Sequence, residues 1–181
     1  MSDVSSADDV QLILRAAAFA AERHRNQRRK DEEASPYINH PLALACLLAY
    51  ECQEHDPTVL AAALLHDTVE DTGTTFEEIA QVFGSQVAAI IREVTDDKSL
   101  PKAERKRLQI ERAAHASREA KLVKLADKIC NLRDLTASPP ADWPVERKRE
   151  YFDWAKKVVD HMRGTHDRLE QLFDAASALR P

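Results

Sequence analysis

His66 and Asp67 stand side by side at the end of an almost wholly apolar stretch, Val59-Leu60-Ala61-Ala62-Ala63-Leu64-Leu65, and Glu70 and Asp71 follow within a turn. Four ionisable side chains at the end of a helix that reads as buried are costly unless something binds or neutralises them. A divalent metal does that, and a histidine directly followed by an aspartate can supply two of its ligands. Glu70 and Asp71 lie about one turn further on, so they can face the same pocket without binding the ion. Carboxylates placed there could position or deprotonate an attacking water. The plainer alternative is a helix end that turns into solvent through Thr72-Gly73.

Two other segments carry residues of the same kind. Pro36-Tyr37-Ile38-Asn39-His40-Pro41 fixes a histidine at a helix start, and Lys124-Leu125-Ala126-Asp127-Lys128 sets an aspartate on an otherwise apolar helix. Singly, each has a bland reading: His40 as a hydrogen-bonded cap, Asp127 as a salt-bridge residue, His66-Asp67 as a chance dipeptide. The ordered set His40, His66-Asp67, Asp127, drawn from three helices, is far less expected by accident. Two histidines and two aspartates make a mixed nitrogen and oxygen set, suited to manganese, iron or zinc more than to calcium. Incomplete occupation by protein leaves positions open for water and substrate, as a catalytic metal needs.

The elements that must position these residues read as helices throughout. The chain has 181 residues, only three glycines and almost no alternating apolar pattern, so an all-α fold is expected, one compact helical bundle over residues 1–181. Ala16 to Arg28 reads as a helix, Asp31 to Asn39 as a loop, and Pro41 as the opening of a helix that runs to about Glu54. Pro57 begins the buried helix that ends near Glu70. Thr74 or Thr75, with Glu77 or Glu78 three residues on, offers a capping box for a helix ending before Gly84. Ser85 is expected to cap a helix with Val87, Ile90, Ile91 and Val94 on one face. Pro101 starts a charged helix to about Ala114, and Ser117 caps the next, whose buried stripe is Leu122, Leu125, Ala126 and Ile129. Pro139, Pro140 and Pro144 punctuate a loop; a long helix then reaches Gly164 and a last one runs from Thr165 towards Leu179.

Bulk properties narrow the function classes. A net charge of −5, from 26 basic and 31 acidic residues, argues against general nucleic-acid binding. The basic residues are clustered all the same, at Arg23, Arg25, Arg28, Arg29 and Lys30 and again at Lys102, Arg105, Lys106 and Arg107. Such patches on an acidic protein suit a small anionic ligand, or are simply solvated helix faces. No apolar stretch reaches the length of a membrane span, and Met1 to Ser6 lacks the features of a signal peptide. Cys46, Cys52 and Cys130 are odd in number, lack metal-site spacing and lie in apolar helical contexts, so they read as reduced core residues. A cytoplasmic protein is expected, with no membrane or nucleic-acid partner; a homo-oligomer is neither indicated nor excluded.

The chain also resembles the HD-domain hydrolases, and among them the stand-alone small alarmone hydrolases of the RelA/SpoT type, which include the metazoan SpoT homologues. The matching stretches are Arg28-Arg29-Lys30-Asp31, Pro36 to Pro41, Ala63 to Asp71, Glu93 to Lys98, and Lys121 to Leu135, spread from about Phe19 to Gly164. The resemblance implies a single catalytic metal, usually manganese, held by His40, His66, Asp67 and Asp127. It implies removal of pyrophosphate from the 3′ position of guanosine 3′,5′-bis(diphosphate), giving GDP, or GTP from the pentaphosphate. By the same carry-over Glu70 and Asp71 handle the attacking water, Arg29 and Lys30 face the nucleotide and its phosphates, and Asn131 lines the nucleoside pocket. Two positions depart from the family pattern. Cys130 stands where relatives more often have an aromatic or histidine, and Ala34-Ser35 replaces a more glycine-containing loop. The synthetase and regulatory domains of the family's long members have no counterpart in this length, so a hydrolase-only protein is expected.

Competing readings keep the same residues and change the outcome. The same site could act on an adenosine alarmone or on the 2′-phosphate of NADPH, since all present a nucleoside with phosphates on both sides. A deoxynucleotide 5′-phosphatase and a non-catalytic nucleotide-binding regulator are further alternatives. The complete metal set and the Glu70-Asp71 pair weigh against the regulator.

Overall fold

The computed structural model describes residues 7–181; the reading of Met1 to Ser6 lies outside the described residues. The helices are α1 (Ala7–Arg23), α2 (Asn39–Cys46), α3 (Pro57–Leu65), α4 (Thr68–Asp71), α5 (Phe76–Phe83), α6 (Ser85–Val94), α7 (Lys102–Ala113), α8 (Arg118–Ala137), α9 (Val145–Asp160) and α10 (Asp167–Ser177). Among the described residues there is no β-strand, only an isolated antiparallel bridge between Arg28 and Pro36. The fold is all-α, as the sequence indicates.

The helix α3 is the hub. Asp56 caps it by accepting a bond from the Thr58 N–H, Pro57 fills its first turn, and every residue from Val59 to Leu65 is buried. A helix apolar on all sides must be surrounded, and α1, α2, α6 and α8 pack around it. The second long core element is α8. Ser117 caps it by accepting from the Ala120 N–H, and Leu122, Leu125, Ala126 and Ile129 are fully buried as the stripe requires. The helix α10 closes over α8, and α9 lies against α7 and α8.

Several boundaries differ from the sequence reading. The first helix begins at Ala7 and ends at Arg23. Asp8 and Asp9 suit its first turn, and the chain leaves the helix in a turn where the Gln27 N–H reaches the His24 carbonyl. The basic run Arg25 to Lys30 therefore belongs to a loop. The helix opened near Pro41 starts at Asn39 and loosens into a π-helical turn over Leu47–Glu51. Gly84, at φ +90°, takes the cap position before α6, a conformation that Ser85 could reach only with strain. Ser85 is the first residue inside the helix. His166, with its ring accepting from the Leu169 N–H, caps α10, so the last helix starts after Thr165. Cys52 and Cys130 are buried, but Cys46 is exposed on α2 and is not a core residue. Among the described residues no helix is long and apolar enough to cross a membrane.

The consequential difference is at His66-Asp67. The buried helix does not continue to Glu70: α3 stops at Leu65, and α4 begins at Thr68. Asp67, at φ −98° and ψ −3°, sits in the bridge region between the two helices. The Thr68 hydroxyl donates to the Leu65 carbonyl at 2.7 Å and satisfies a group that the break would otherwise strand.

Candidate metal centre and its cavity

On a regular helix, adjacent side chains diverge by about 100°. The break after Leu65 removes that constraint and turns His66 and Asp67 to one side, where α2 delivers His40. His40, His66 and Asp67 each present a ligating atom within 4.8 Å of the others. From α8, Asp127 Oδ1 comes within 3.2 Å of His40 Nε2 and 4.0 Å of His66 Nε2. The four residues singled out in the sequence thus converge from α2, the α3–α4 break and α8.

Their chemistry fits a cation. His66 Nδ1 lies 2.9 Å from the Ala63 carbonyl, which holds a proton there and makes Nε2 the nitrogen that would give up its proton to a metal. His66 Nε2 and His40 Nδ1 are both buried without a hydrogen-bond partner. Nε2 does lie 2.9 Å from Asp67 Oδ2, but out of line for a hydrogen bond. An unpartnered His66 Nε2 beside these carboxylates suits a metal-ligating cluster, and His40 turns its Nε2 to Asp127.

A cavity of about 1110 Å³ opens next to the cluster, with His40 and Asp71 among its lining residues. Arg28, Arg29, Lys30 and Lys148 line it together with the carboxylates Asp31, Glu32, Glu33 and Asp134, and Asn131, Trp143 and Tyr151 also face it. The four basic side chains on the wall of a cavity that adjoins the cluster suit the phosphates of an anionic substrate.

The family model described as the HD domain matches residues 16–154. The chain belongs to the HD-domain family. Among its relatives, the guanosine-3′,5′-bis(diphosphate) 3′-pyrophosphohydrolase MESH1 of Xenopus tropicalis is 60% identical over 166 residues, covering 92% of this chain and 93% of that one. The protein of the same name from Homo sapiens is 57% identical over 159 residues, covering 88% and 89%. A solved structure, described as a metazoan ortholog of SpoT that hydrolyzes ppGpp and plays a role in starvation responses, superposes with a TM-score of 0.92 at 50% identity. The match covers 99% of this chain and 98% of that one.

Charge in this HD site is arranged so that the carboxylates stay ionised. Burial raises the Asp127 carboxyl, but the Lys128 ammonium and His40 outweigh it and hold Asp127 well below the usual range. Burial raises Asp67 in the same way, and His66 with His40 brings it below the usual range. For His66 burial pulls down, but Asp67 and Asp127 push it up to about 9. A cation held here would take over the compensation those histidines give the carboxylates.

The remaining site residues divide by position. Asp71 faces the cavity; its Oδ2 accepts from Gln27 Nε2 at 2.8 Å, and Lys98 binds Oδ1. Glu70 is turned towards the loop between α6 and α7. Its Oε2 accepts from the Asp96 N–H at 3.0 Å, and Arg105 lies 3.8 Å from Oε1. Burial chiefly, with neighbouring carboxylates, pushes its carboxyl up from the ordinary glutamate value. Arg29 pairs with Asp134 and lies 5.7 Å from the Tyr37 ring centre. Lys30 lines the cavity mouth. Asn131 reaches the cavity too, but its amide donates to Asp127 Oδ1 at 2.6 Å, so it also orients that carboxylate.

The residue-by-residue reading missed several partners. Tyr37 donates its hydroxyl to Asp67, and burial followed by that carboxylate raises its pKa far above the usual phenol range, so it remains a donor. Lys128, buried at 4% exposure, lies 3.0 Å from Asp127 Oδ2 and 4.5 Å from the Trp154 ring centre. Of the second basic cluster, Arg107 is tied to Glu104 and Glu111, and Lys106 lies over Trp154. Only Arg105 in that cluster approaches a site carboxylate. The buried thiols of Cys52 and Cys130 are pushed up, to about 11 and about 12, chiefly by burial, which makes them poor nucleophiles.

Proposed function

We propose that this protein is a manganese-dependent guanosine-3′,5′-bis(diphosphate) 3′-pyrophosphohydrolase, releasing pyrophosphate and leaving GDP, or GTP from the pentaphosphate. One observation carries the reading: His40, His66, Asp67 and Asp127 converge, with His66 Nε2 buried and unpartnered, beside a cavity that Arg28, Arg29, Lys30 and Lys148 help to line. The relatives' names supply the substrate, and Arg28, Arg29, Lys30 and Lys148 on the cavity wall suit its phosphates. His40, His66, Asp67 and Asp127 would hold a single manganese ion, a mixed nitrogen and oxygen set that suits it.

When bound, the ion acidifies a water and polarises the scissile phosphoryl group. The chain's own residues do the rest. Tyr37 and Asn131 hold Asp67 and Asp127 by donating to them. Glu70, with its raised proton affinity, takes the proton from the attacking water, and Asp71 aligns that water from the cavity wall. Arg29 and Lys30 bind the phosphates with charge-assisted bonds, and Asn131 faces the nucleoside. Little covalent work falls to the protein, because phosphoryl transfer is mostly positioning and charge stabilisation.

The discriminating experiment is side-by-side turnover of the guanosine alarmone, its adenosine counterpart and NADPH by the manganese-loaded protein. Turnover, read as pyrophosphate from the two alarmones and as phosphate from NADPH, is expected to be fastest, by kcat/KM, for the guanosine compound. Negligible release from it, with turnover of either of the others, would reassign the substrate and leave the metal site in place.

A further inference from the structure

His24 is a polar side chain buried outside the metal cluster, at 2% exposure. Its ring lies tilted against Tyr37 with centroids 4.8 Å apart. Its Nδ1 is 2.6 Å from Gln27 Oε1, and its Nε2 is buried without a partner. Gln27 carries the contact onward, since its Nε2 donates to Asp71 Oδ2 at 2.8 Å.

A glutamine amide has one accepting end and one donating end of nearly the same shape. Which end faces Asp71 must therefore be set by something else. A proton on His24 Nδ1 sets it: Oε1 is drawn to the imidazole, and Nε2 is left for the carboxylate. Flipped, the amide would set oxygen against oxygen at Asp71. The Gln27 backbone is fixed as well, with its N–H on the His24 carbonyl at 2.8 Å and its carbonyl accepting from the Tyr37 N–H at 3.1 Å. The other oxygen of Asp71 is held by Lys98, whose side chain is 49% exposed and so a looser restraint.

We infer that Gln27, oriented by His24, is a positioning residue of this site, holding the Asp71 carboxylate in the orientation from which it aligns the attacking water. The inference rests on Asp71 acting in catalysis, as proposed above. It concerns neither metal binding nor substrate affinity, and that separates it from a general structural role.

Three substitutions test it. Gln27→Met keeps the length and removes the donor; His24→Phe keeps a ring against Tyr37 and removes the N–H; His24→Asn keeps an N–H near the Nδ1 position. Gln27→Met and His24→Phe are expected to lower kcat roughly 10- to 100-fold, with manganese content unchanged. KM should stay within about twofold of wild type. His24→Asn should recover most of the kcat lost in His24→Phe. In an Asp71→Asn background, Gln27→Met should have no further effect, because both changes remove one unit. Wild-type kcat in Gln27→Met, a loss that falls on KM or manganese content, or full additivity with Asp71→Asn overturns the inference. Should Gln27→Met not fold, the histidine pair decides, and equal kcat in His24→Phe and His24→Asn overturns it. A wild-type rate in Asp71→Asn would instead remove the catalytic reading of Asp71, and this inference with it.

Discussion

Proton affinities separate the carboxylates of this site into two kinds. Asp67 and Asp127 are half-buried but sit beside His66, His40 and Lys128, which hold their carboxyls below the usual range. Glu70 is half-buried with other carboxylates nearby, and its proton affinity rises. Environments that drive such groups apart mark ligand from acid or base. The sign for catalysis follows: a base works only when deprotonated, so a raised Glu70 moves the acid limb of kcat above the ordinary glutamate range. Glu70→Gln is expected to lower kcat by roughly 100-fold and to remove that limb, read from the pH profile of the manganese-loaded protein. An unchanged limb would assign it to another group. At this scale the sequence shows residue types and order, and these suffice to single out the candidate metal set and the carboxylate pair. Tyr37, Gln27 and Lys98 escape because their polar ends meet their partners across 30, 44 and 27 residues, a closeness created by packing and not by spacing.

Helices are legible from apolar periodicity, and their functional interruptions are not. The pattern through Leu65, His66 and Glu70 is compatible with one unbroken helix, because Thr68 satisfies the Leu65 carbonyl locally and leaves no glycine or proline as a marker. The same holds for the π-helical turn over Leu47–Glu51, which keeps Leu47 and Leu48 buried. The loop before His40 does carry a sequence signal. Ala34 adopts φ +48°, in the left-handed region, within a turn closed by Asp31 through the Ser35 N–H at 3.0 Å and the Ser35 hydroxyl. A left-handed alanine is strained by about 1–2 kcal/mol, and a glycine there costs about 0.4–1 kcal/mol in unfolded-state entropy. Ala34→Gly is therefore expected to stabilise the protein by up to about 1 kcal/mol, with an unchanged manganese content. Urea unfolding measures it, and a lower midpoint would show that Ala34 is unstrained.

Across the whole molecule, the core is shaped to deliver charge. The helix α8 is a core element on its Leu122-to-Ile129 stripe, yet it buries Lys124 and Lys128 as well as presenting Asp127. Lys128 is compensated by Asp127. Lys124 reaches only the Val94 carbonyl, at 3.5 Å, and burial, with Lys128 nearby, pulls it down to about 8. The fold thus prefers neutral Lys124: the stabilising preference is complete above the unfolded lysine value of about 10.4 and is lost as pH falls through about 8. Lys124→Met should therefore raise stability at pH 7 by ~1–4 kcal/mol, and by less at pH 10. Denaturant unfolding at both values checks this, and a destabilised variant at pH 7 would mean that the ammonium is needed to balance Asp96 and Glu70. The all-helical bundle was legible as a whole, because a helix apolar on every side and a stripe such as that of α8 have few other solutions. The convergence of α2, the α3–α4 break and α8 on one point was legible only as an ordered set of residue types. The most direct test of that convergence is the manganese dependence of pyrophosphate release from guanosine 3′,5′-bis(diphosphate) by metal-stripped protein. The expected result is no release without metal, full release with a single equivalent of manganese per chain, and none in Asp127→Ala at the same manganese level. Turnover by the stripped protein, or a wild-type rate in Asp127→Ala, would contradict it.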